Sequence, residues 1–194
     1  MKIVNMGLLL ITAGFLTNVK TMAQKKIQIE QSMYIEVSKD SLWKLTALQY
    51  EKIGLWSAGV KSSEGGSISG FNGDIYTERV CVPGYKGFRK TTERIIDFQP
   101  EKDYFTYQIA EGLPGMVKYA TNTWVHEQEG SGTRLTMQVN MELQGLMGTM
   151  MKGPLKKKMS KILRENLEEL KIYAETGELH ERKKKLNEKA LAKS

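Results

Sequence analysis

A carboxylate and several tyrosines in the middle of the chain are the residues best suited to chemistry. Glu93 lies in an apolar, strand-like run, and Tyr76, Tyr107 and Tyr119 lie in neighbouring runs. A carboxyl group in an apolar pocket can act as a general acid or base, and a tyrosine offers a ligand carbonyl one hydrogen-bonding tip on an apolar ring. Alternatively, Glu93 pairs with a nearby Arg or Lys and the tyrosines are ordinary sheet residues. For catalysis we favour this second interpretation, because the sequence shows no evident nucleophile, metal cluster or acid–base dyad.

Methionine residues follow these candidates along the chain. Met137 and Met141 share the parity of one predicted strand, and Met159 and Ile162 lie in the helix that comes next. Thioether side chains adapt to irregular apolar shapes, so this set predicts either the lining of a plastic ligand pocket or part of an ordinary core. The glycines between positions 145 and 153 would allow the segment before the helix to move as a gate, or they form a plain connection.

The cysteine and histidine residues give no indication of catalysis or metal binding. Cys81 is the only cysteine and lies in an apolar run, which indicates a buried thiol and excludes an intramolecular disulfide. No paired Cys/His spacing indicates zinc, so we expect no metal and no cofactor. His126 lies near the end of a predicted strand beside acidic residues, where we expect a solvated histidine rather than a catalytic base.

A series of strands must position these residues. Apolar and polar residues alternate from Ile27 to Val37, which predicts a half-buried strand. Ser38 is a candidate helix N-cap, and a second short helical piece is predicted from Tyr50 to Leu55. The short turn-forming connections between the later runs predict an antiparallel meander. Its strands are Val60 to Ser63, Asp74 to Val82, Gly87 to Phe98, Tyr104 to Ala110, Val117 to Glu127 and Thr133 to Leu143.

One long amphipathic helix is predicted from Pro154 to Thr176. Its apolar residues fall on one side and its charged residues on the other, Pro154 suits a first helical position, and Gly177 suits a left-handed end. The chain therefore predicts an α+β fold in which this helix lies across the concave face of a curved antiparallel sheet of about seven strands. Because one helix cannot fill that face, we expect a cavity between helix and sheet.

Segments at both ends of this region and in its middle resemble a known family. Val37 to Trp43 is similar to the entry of the helix-grip domains of the SRPBCC superfamily, and Leu170 to Gly177 to the end of their long helix. This superfamily includes START-related lipid carriers, the birch pollen allergen and polyketide cyclase/dehydrase-like proteins. Four further pieces resemble the middle strands of the cyclase/dehydrase-like branch in order and spacing: Glu93 to Asp97, Phe105 to Tyr107, Pro114 and Tyr119. The resemblance covers Ile27 to Gly177.

The resemblance implies an apolar pocket and leaves two functions open. The first is a secreted or periplasmic protein that holds a hydrophobic small molecule or lipid between sheet and helix. The second is a cyclase/dehydrase-like enzyme that uses Glu93 and tyrosines as acid–base groups. Many cyclase-like relatives carry an arginine where this sequence has Tyr76, and strand parity does not decide whether Arg79 or Arg89 takes its place beside Glu93. The expected ligand-binding residues are Tyr76, Glu93, Tyr107, Tyr119, Met137, Met141, Met159 and Ile162.

The two ends of the chain are expected to lie outside the domain, which we place at 24–177. Lys2, the apolar run from Gly7 to Leu16 and the small residues up to Ala23 predict a secretory signal peptide cleaved after Ala23, with an uncleaved membrane anchor as the alternative. The basic tail 178–194 is expected to be a helical extension or disordered, with weak contact to a membrane surface as the alternative. Since much of the net charge of +7 resides in these ends, we expect no nucleic-acid partner, and we expect a monomer or weak dimer.

Overall fold

A computed structural model of the protein describes residues 25–65 and 77–192. Within these residues, seven strands form one curved antiparallel sheet in the order β1-β7-β6-β5-β4-β3-β2. Apart from the crossover that places β1 beside β7, each strand pairs with its neighbours in sequence, which confirms the predicted meander and fold class. The strands are β1 (Lys26–Ile35), β2 (Val60–Gly65), β3 (Glu78–Pro83), β4 (Thr91–Gln99), β5 (Tyr104–Glu111), β6 (Val117–Glu129) and β7 (Gly132–Leu143).

Four α-helices accompany the sheet in the described part of the chain. Their bounds are α1 (Lys39–Trp43), α2 (Ile53–Trp56), α3 (Gly145–Thr176) and α4 (Glu181–Leu191). Ser38 caps α1 as predicted, because its Oγ accepts a hydrogen bond from the backbone N–H of Ser41 at 3.3 Å. None of the described helices is both long and apolar enough to cross a bilayer. The predicted signal peptide and Tyr76 lie outside the described residues.

The long helix α3 begins earlier than the sequence predicts. It starts at Gly145, so Pro154 lies in its interior rather than at its first turn. Proline removes one backbone hydrogen bond and crowds the carbonyl of the preceding turn. Here Pro154 is exposed, so water can reach the freed carbonyl, and the surrounding leucine, methionine and lysine residues favour helix. At the other end, Gly177 stops the helix as predicted, with a φ of 73°.

Packing of α3 is uneven along its length. The helix lies mainly on β1, with less contact to β7, and its deepest residues are Leu163, Leu167 and Leu170. Each of these buried leucines stabilises the fold by about 1.5–3 kcal/mol. Towards the N-terminus, Leu155 and Met159 are only half-buried, and the first turns are largely exposed. The helix is therefore anchored through its second half.

The basic tail is neither a continuation of α3 nor disordered over Glu181–Leu191, where it forms α4. Arg182 holds this helix to α3, with Nε 2.7 Å from Glu169 Oε1 and Nη2 2.8 Å from Glu168 Oε2. Lys183 is buried and donates from Nζ to the Val60 carbonyl at 2.8 Å, while burial lowers its pKa to about 8. Charge counting alone could not reveal this docking, because it depends on a buried acid, Glu169, among the apolar positions of α3.

Candidate functional site

Strand alternation brings several polar side chains together on the face of the sheet that the helices cover. Arg79 on β3 is opposite Glu93 on β4, and Tyr107 on β5 is opposite Asn122 on β6. Tyr50, in a 3-10 turn just before α2, packs over them, with its ring 5.7 Å from that of Tyr107. All five are buried. We call Tyr50, Arg79, Glu93, Tyr107 and Asn122 the interior polar cluster.

The centre of this cluster is an ion pair. Arg79 donates to Glu93 Oε2 from Nε at 2.8 Å and from Nη2 at 2.6 Å, and its Nη1 donates to the Tyr50 carbonyl at 2.7 Å. Burial disfavours the charge on Arg79, but Glu93 together with the neighbouring Tyr50, Cys81 and Tyr107 outweighs burial, so the pKa of the guanidinium is raised above its usual value. Removing one partner of such a buried pair destabilises a protein by about 3–5 kcal/mol.

Two aromatic rings complete the surroundings of Arg79. Its guanidinium carbon lies 3.9 Å from the ring centroid of Tyr50 and 5.0 Å from that of Tyr107, which are cation–π distances. Burial raises the pKa of both tyrosines, so their hydroxyls remain protonated. Burial also raises the pKa of the neighbouring Cys81 thiol to about 12, which makes it an inert core group, as the sequence indicates, rather than a nucleophile.

Three buried polar atoms on this face have no hydrogen-bond partner among the described residues. They are the Tyr50 hydroxyl, Asn122 Oδ1 and Trp124 Nε1. The amide nitrogen of Asn122 donates a hydrogen bond to the Tyr107 hydroxyl at 3.2 Å, which leaves Oδ1 without a partner. Trp124 lies two residues further along the same face of β6. A buried polar atom without a partner typically costs about 1–3 kcal/mol. The interior polar cluster thus presents an acceptor, Asn122 Oδ1, and a hydroxyl able to serve as donor or acceptor, on Tyr50, while Trp124 adds a donor further along β6.

His126 is not the solvated histidine that the sequence predicts. It is buried, its Nε2 lies 2.8 Å from Thr46 Oγ1, and its Nδ1 lies 3.2 Å from the Asp103 carbonyl. Burial lowers its pKa to about 4. The prediction is wrong because β6 continues to Glu129 and the helical segment after Ser38 covers this part of the sheet. With both ring nitrogens engaged, His126 is a structural residue.

The remaining predicted site residues are distributed over the fold. Tyr119 is 41% exposed on the opposite face, since an irregularity between Val117 and Tyr119 shifts the strand alternation. Met137 and Met141 are buried on β7 on the covered face, with Met137 opposite Trp124. Met159 and Ile162 are half-buried on α3. Of the predicted residues, the structure therefore brings Glu93 and Tyr107 into the interior polar cluster and leaves Tyr119 outside it.

Several residues of this face were not predicted. Tyr50 lies in a short helical piece without clear periodicity, and Trp124 and Asn122 look like ordinary alternating strand residues in the sequence. Arg79 was one of two open alternatives, and the β3–β4 register selects it. The sequence did contain one signal for Arg79, which is its position within an apolar strand-like run. An arginine buried in such a strand needs an acidic partner, because arginine is rarely fully buried without one.

Two surface depressions lie away from the interior polar cluster. The larger, which we call the mouth groove, has a volume of about 740 Å³ and lies between the β5–β6 loop and the start of α3. The second, of about 540 Å³, lies between α2 and β2. Of the predicted ligand-binding residues that the structure describes, none lines either depression. Within the described residues, no group of acidic, histidine or cysteine side chains is arranged to hold a metal ion.

Solved structures of other proteins share this arrangement of sheet and helices. Protein TTHA0849 from Thermus thermophilus is 20% identical, with 76% of this chain and 97% of that chain covered and a TM-score of 0.62. The protein XoxI from Bacillus cereus is 19% identical, with 79% of this chain and 99% of that chain covered and a TM-score of 0.61. The di-domain ARO/CYC BexL from the BE-7585A biosynthetic pathway is 14% identical, with 78% of this chain and 50% of that chain covered and a TM-score of 0.63. No curated protein sequence matches this chain.

At these identities the structural neighbours establish the fold and not the activity. A family model described as polyketide cyclase / dehydrase and lipid transport matches residues 26–175, from the first residue of β1 almost to the end of α3. The chain belongs to this family, whose members share the helix-grip fold, as the resemblance of its sequence segments predicted.

Proposed function

We propose that this protein binds a hydrophobic small molecule or lipid between the sheet and α3, with a polar group of the ligand against the interior polar cluster. The family description, which joins polyketide cyclases and dehydrases to lipid transport, supports a ligand of this kind. So does the ARO/CYC assignment of a structural neighbour from a biosynthetic pathway. The apolar part of the ligand would contact side chains such as Met137 and Met141, which adapt to irregular shapes.

The observation that carries this proposal is the set of three unpartnered buried atoms on the covered face, two of which, the Tyr50 hydroxyl and Asn122 Oδ1, belong to the interior polar cluster. Buried polar atoms in native proteins are nearly always paired, and those that are not call for an explanation. A carbonyl of a ligand would accept from Trp124 Nε1, and a hydroxyl would donate to Asn122 Oδ1. The Tyr50 hydroxyl suits either partner. Binding of such a ligand would therefore remove a desolvation penalty that the free protein carries.

We further propose that the protein acts in the periplasm or outside the cell. This location is supported by the signal-like sequence up to Ala23. Determining the N-terminal residue of the protein recovered from its native host would test it, and an intact N-terminus would contradict cleavage at that point.

A cyclase/dehydrase-like activity is the second candidate function. It is favoured by one observation, which is that Glu93 and the protonated hydroxyl of Tyr107 lie in the same buried cluster. In this mechanism Glu93 would accept a proton from the substrate and Tyr107 would donate one to a carbonyl or leaving hydroxyl. If Glu93→Gln left turnover of every accepted polyketide-like substrate unchanged, this mechanism would be excluded.

Binding is tested first by native mass spectrometry of the gently purified protein and by titration with a fluorescent fatty acid. We expect a copurified apolar molecule or saturable uptake of the fatty acid. The absence of both would argue against a carrier role.

The sharper test is Tyr50→Phe, which removes one unpartnered hydroxyl and retains the ring beside Arg79. We expect the free energy of unfolding of the ligand-free protein to rise by about 1 kcal/mol and affinity for the fluorescent fatty acid to fall by about fivefold. Urea denaturation and the same fluorescence titration measure the two quantities. Tyr119→Phe is the matched control, since its hydroxyl lies on the exposed face and should affect neither. A loss of stability without a change in affinity would show that the Tyr50 hydroxyl serves the fold alone.

A further inference from the structure

The first two turns of α3 carry an unusual concentration of exposed apolar side chains. Leu146 is 76% exposed, Met150 66% and Met147 58%, which makes them three of the four most exposed large apolar residues in the described part of the chain. Single exposed apolar residues are common on soluble proteins. Three within two helical turns, next to the mouth groove that Leu146 and Met147 line, form a continuous patch. We call Leu146, Met147 and Met150 the apolar tip.

The chain that follows the apolar tip is basic and contains no acid before Glu165. Exposed lysines follow it at Lys152, Lys156, Lys157, Lys158 and Lys161, and the first acidic residue of α3 is Glu165. The exposed bases Lys86, Arg89 and Lys90 lie in the β3–β4 loop, which likewise has no acid. This loop reaches α3, because Lys158 Nζ lies 4.3 Å from the ring centroid of Phe88.

Strand register places these segments at one end of the sheet. The β3–β4 loop, the β5–β6 loop and the β7–α3 junction all follow or precede strand ends that pair with each other, as in Cys81 with Thr91 and Val117 with Leu143. Of the acids at this end, Glu142 pairs with Lys118 at 3.3 Å, and Glu111 accepts a hydrogen bond from the neutral Thr92 hydroxyl and keeps its charge, so the exposed bases outnumber the acids. An exposed apolar tip therefore projects from a surface with an excess of uncompensated positive charge.

From this arrangement we propose that this end of the protein docks on an anionic lipid bilayer, with the apolar tip inserted below the headgroups and the lysines on the lipid phosphates. Apolar side chains flanked by lysine are the pattern that an interfacial helix uses to bind such a surface. A second copy of the chain fits less well, because two identical basic surfaces would repel each other. The docking is independent of the proposed function. Delivery of a hydrophobic ligand to or from the bilayer would rest on both.

The location differs from the membrane contact expected from the sequence, which was assigned to the basic tail. In the structure two basic residues of that tail contact the rest of the protein and are not free to bind a membrane. Arg182 pairs with two glutamates, and Lys183 is buried against β2. The lysines of α3 between 152 and 161 are all exposed, by contrast. The two surfaces can therefore be separated by mutation.

The test is co-sedimentation of the full protein with phosphatidylcholine vesicles that contain or lack phosphatidylserine. We expect binding only to the anionic vesicles, weakened by added salt. The triple variant Leu146→Ser, Met147→Ser and Met150→Ser should lose binding. The matched triple Leu48→Ser, Ile96→Ser and Ile172→Ser alters exposed apolar residues elsewhere and should retain it. All variants are compared with the same N-terminus, established by intact mass, and with circular dichroism as a check of folding.

The charge contribution is tested by a second pair of variants. Lys156→Gln with Lys157→Gln should weaken binding to anionic vesicles by on the order of tenfold, given the attraction of each lysine to an anionic surface. Lys185→Gln with Lys189→Gln in α4 removes the same charge from the tail and should have little effect. A larger loss in the tail variant would overturn the assignment of the surface.

Three further results would overturn the proposal. They are no binding of the wild-type protein to anionic vesicles, equal binding of the serine triple variant, and a shift of that variant from dimer to monomer with vesicle binding unchanged. The last result would identify a second copy of the chain as the occupant. Fluorescent fatty acid uptake by the triple variant in solution should remain normal, so failure of docking and failure of ligand binding are distinguishable.

Discussion

Two ion pairs on neighbouring positions of the same strands differ sharply in their surroundings. Arg79 bonds to Glu93 on the covered face of the β3–β4 ladder, and one residue away Arg94 bonds to Glu78 on the opposite face. In both, two guanidinium nitrogens contact one carboxylate oxygen at 2.6 Å and at 2.8 or 2.9 Å. The arginine side chain is 3% exposed in the inner pair and 44% exposed in the outer one.

The comparison shows that hydrogen-bond geometry alone does not indicate a role. Water can solvate the exposed guanidinium of Arg94 in place of Glu78, but the Glu78 side chain is only 9% exposed, so we expect the outer pair to contribute less to stability than the inner pair rather than nothing. The inner pair has no such replacement, and its arginine also bonds to the Tyr50 carbonyl and lies over two aromatic rings. Burying a charged pair carries a large desolvation cost, and an apolar pair of similar size would often be at least as stable. The inner pair is therefore better explained by ligand binding than by a contribution to stability.

The largest expected effect comes from Arg79→Met, which leaves Glu93 buried without its cation. We expect the free energy of unfolding to fall by about 3–5 kcal/mol, whereas Arg94→Met on the outer face should lower it by about 1–2 kcal/mol, because Glu78 is buried but water reaches the position of Arg94. Urea denaturation followed by circular dichroism measures both. Equal losses would show that the ion pairs on the two faces of the sheet are energetically alike.

Unlike Arg79, which is buried in its charged form, His126 is buried and stays neutral. Because burial lowers the pKa of His126 to about 4, the unfolded chain binds a proton more readily than the folded protein. Stability from this group is complete above the unfolded pKa of about 6.5 and is lost as pH falls towards 4, by up to about 3 kcal/mol. Denaturation curves between these pH values should show the loss. His126→Gln should reduce it, and a wild-type stability independent of pH in this window would contradict the assignment.

Arg79→Lys separates charge from shape and should have the smallest of the three effects. Lysine keeps the positive charge but cannot provide the planar set of donors that reaches Glu93 and the Tyr50 carbonyl together. We expect a loss of about 1–2 kcal/mol, against almost none for Arg94→Lys. If Arg79→Lys were as damaging as Arg79→Met, the shape of the guanidinium would be the requirement. If it were harmless, charge alone would suffice.

Much of the fold was predictable because local patterns agree with the tertiary arrangement. Alternation from Val117 onwards and from Thr133 onwards predicts β6 and β7 nearly to their ends, and Gly177 predicts the end of α3. The start of α3 was not predictable, since Pro154 is a typical first residue and only its exposure shows that the interior of a helix can hold it. The docked helix α4 depends on a distant buried partner, Glu169, which no local pattern reveals.

Local patterns in the chain were enough to establish the order of strands and helices, the apolar face of α3 and the candidacy of Glu93. These follow from periodicity and turn residues, which act over a few positions. The folded arrangement was needed to establish that Arg79 and not Arg89 meets Glu93, that Tyr119 faces outward, and that Tyr50 and Trp124 join the interior. This is because a shift of one residue in a strand reverses the face of every side chain that follows. Register and bulges are set by the whole sheet.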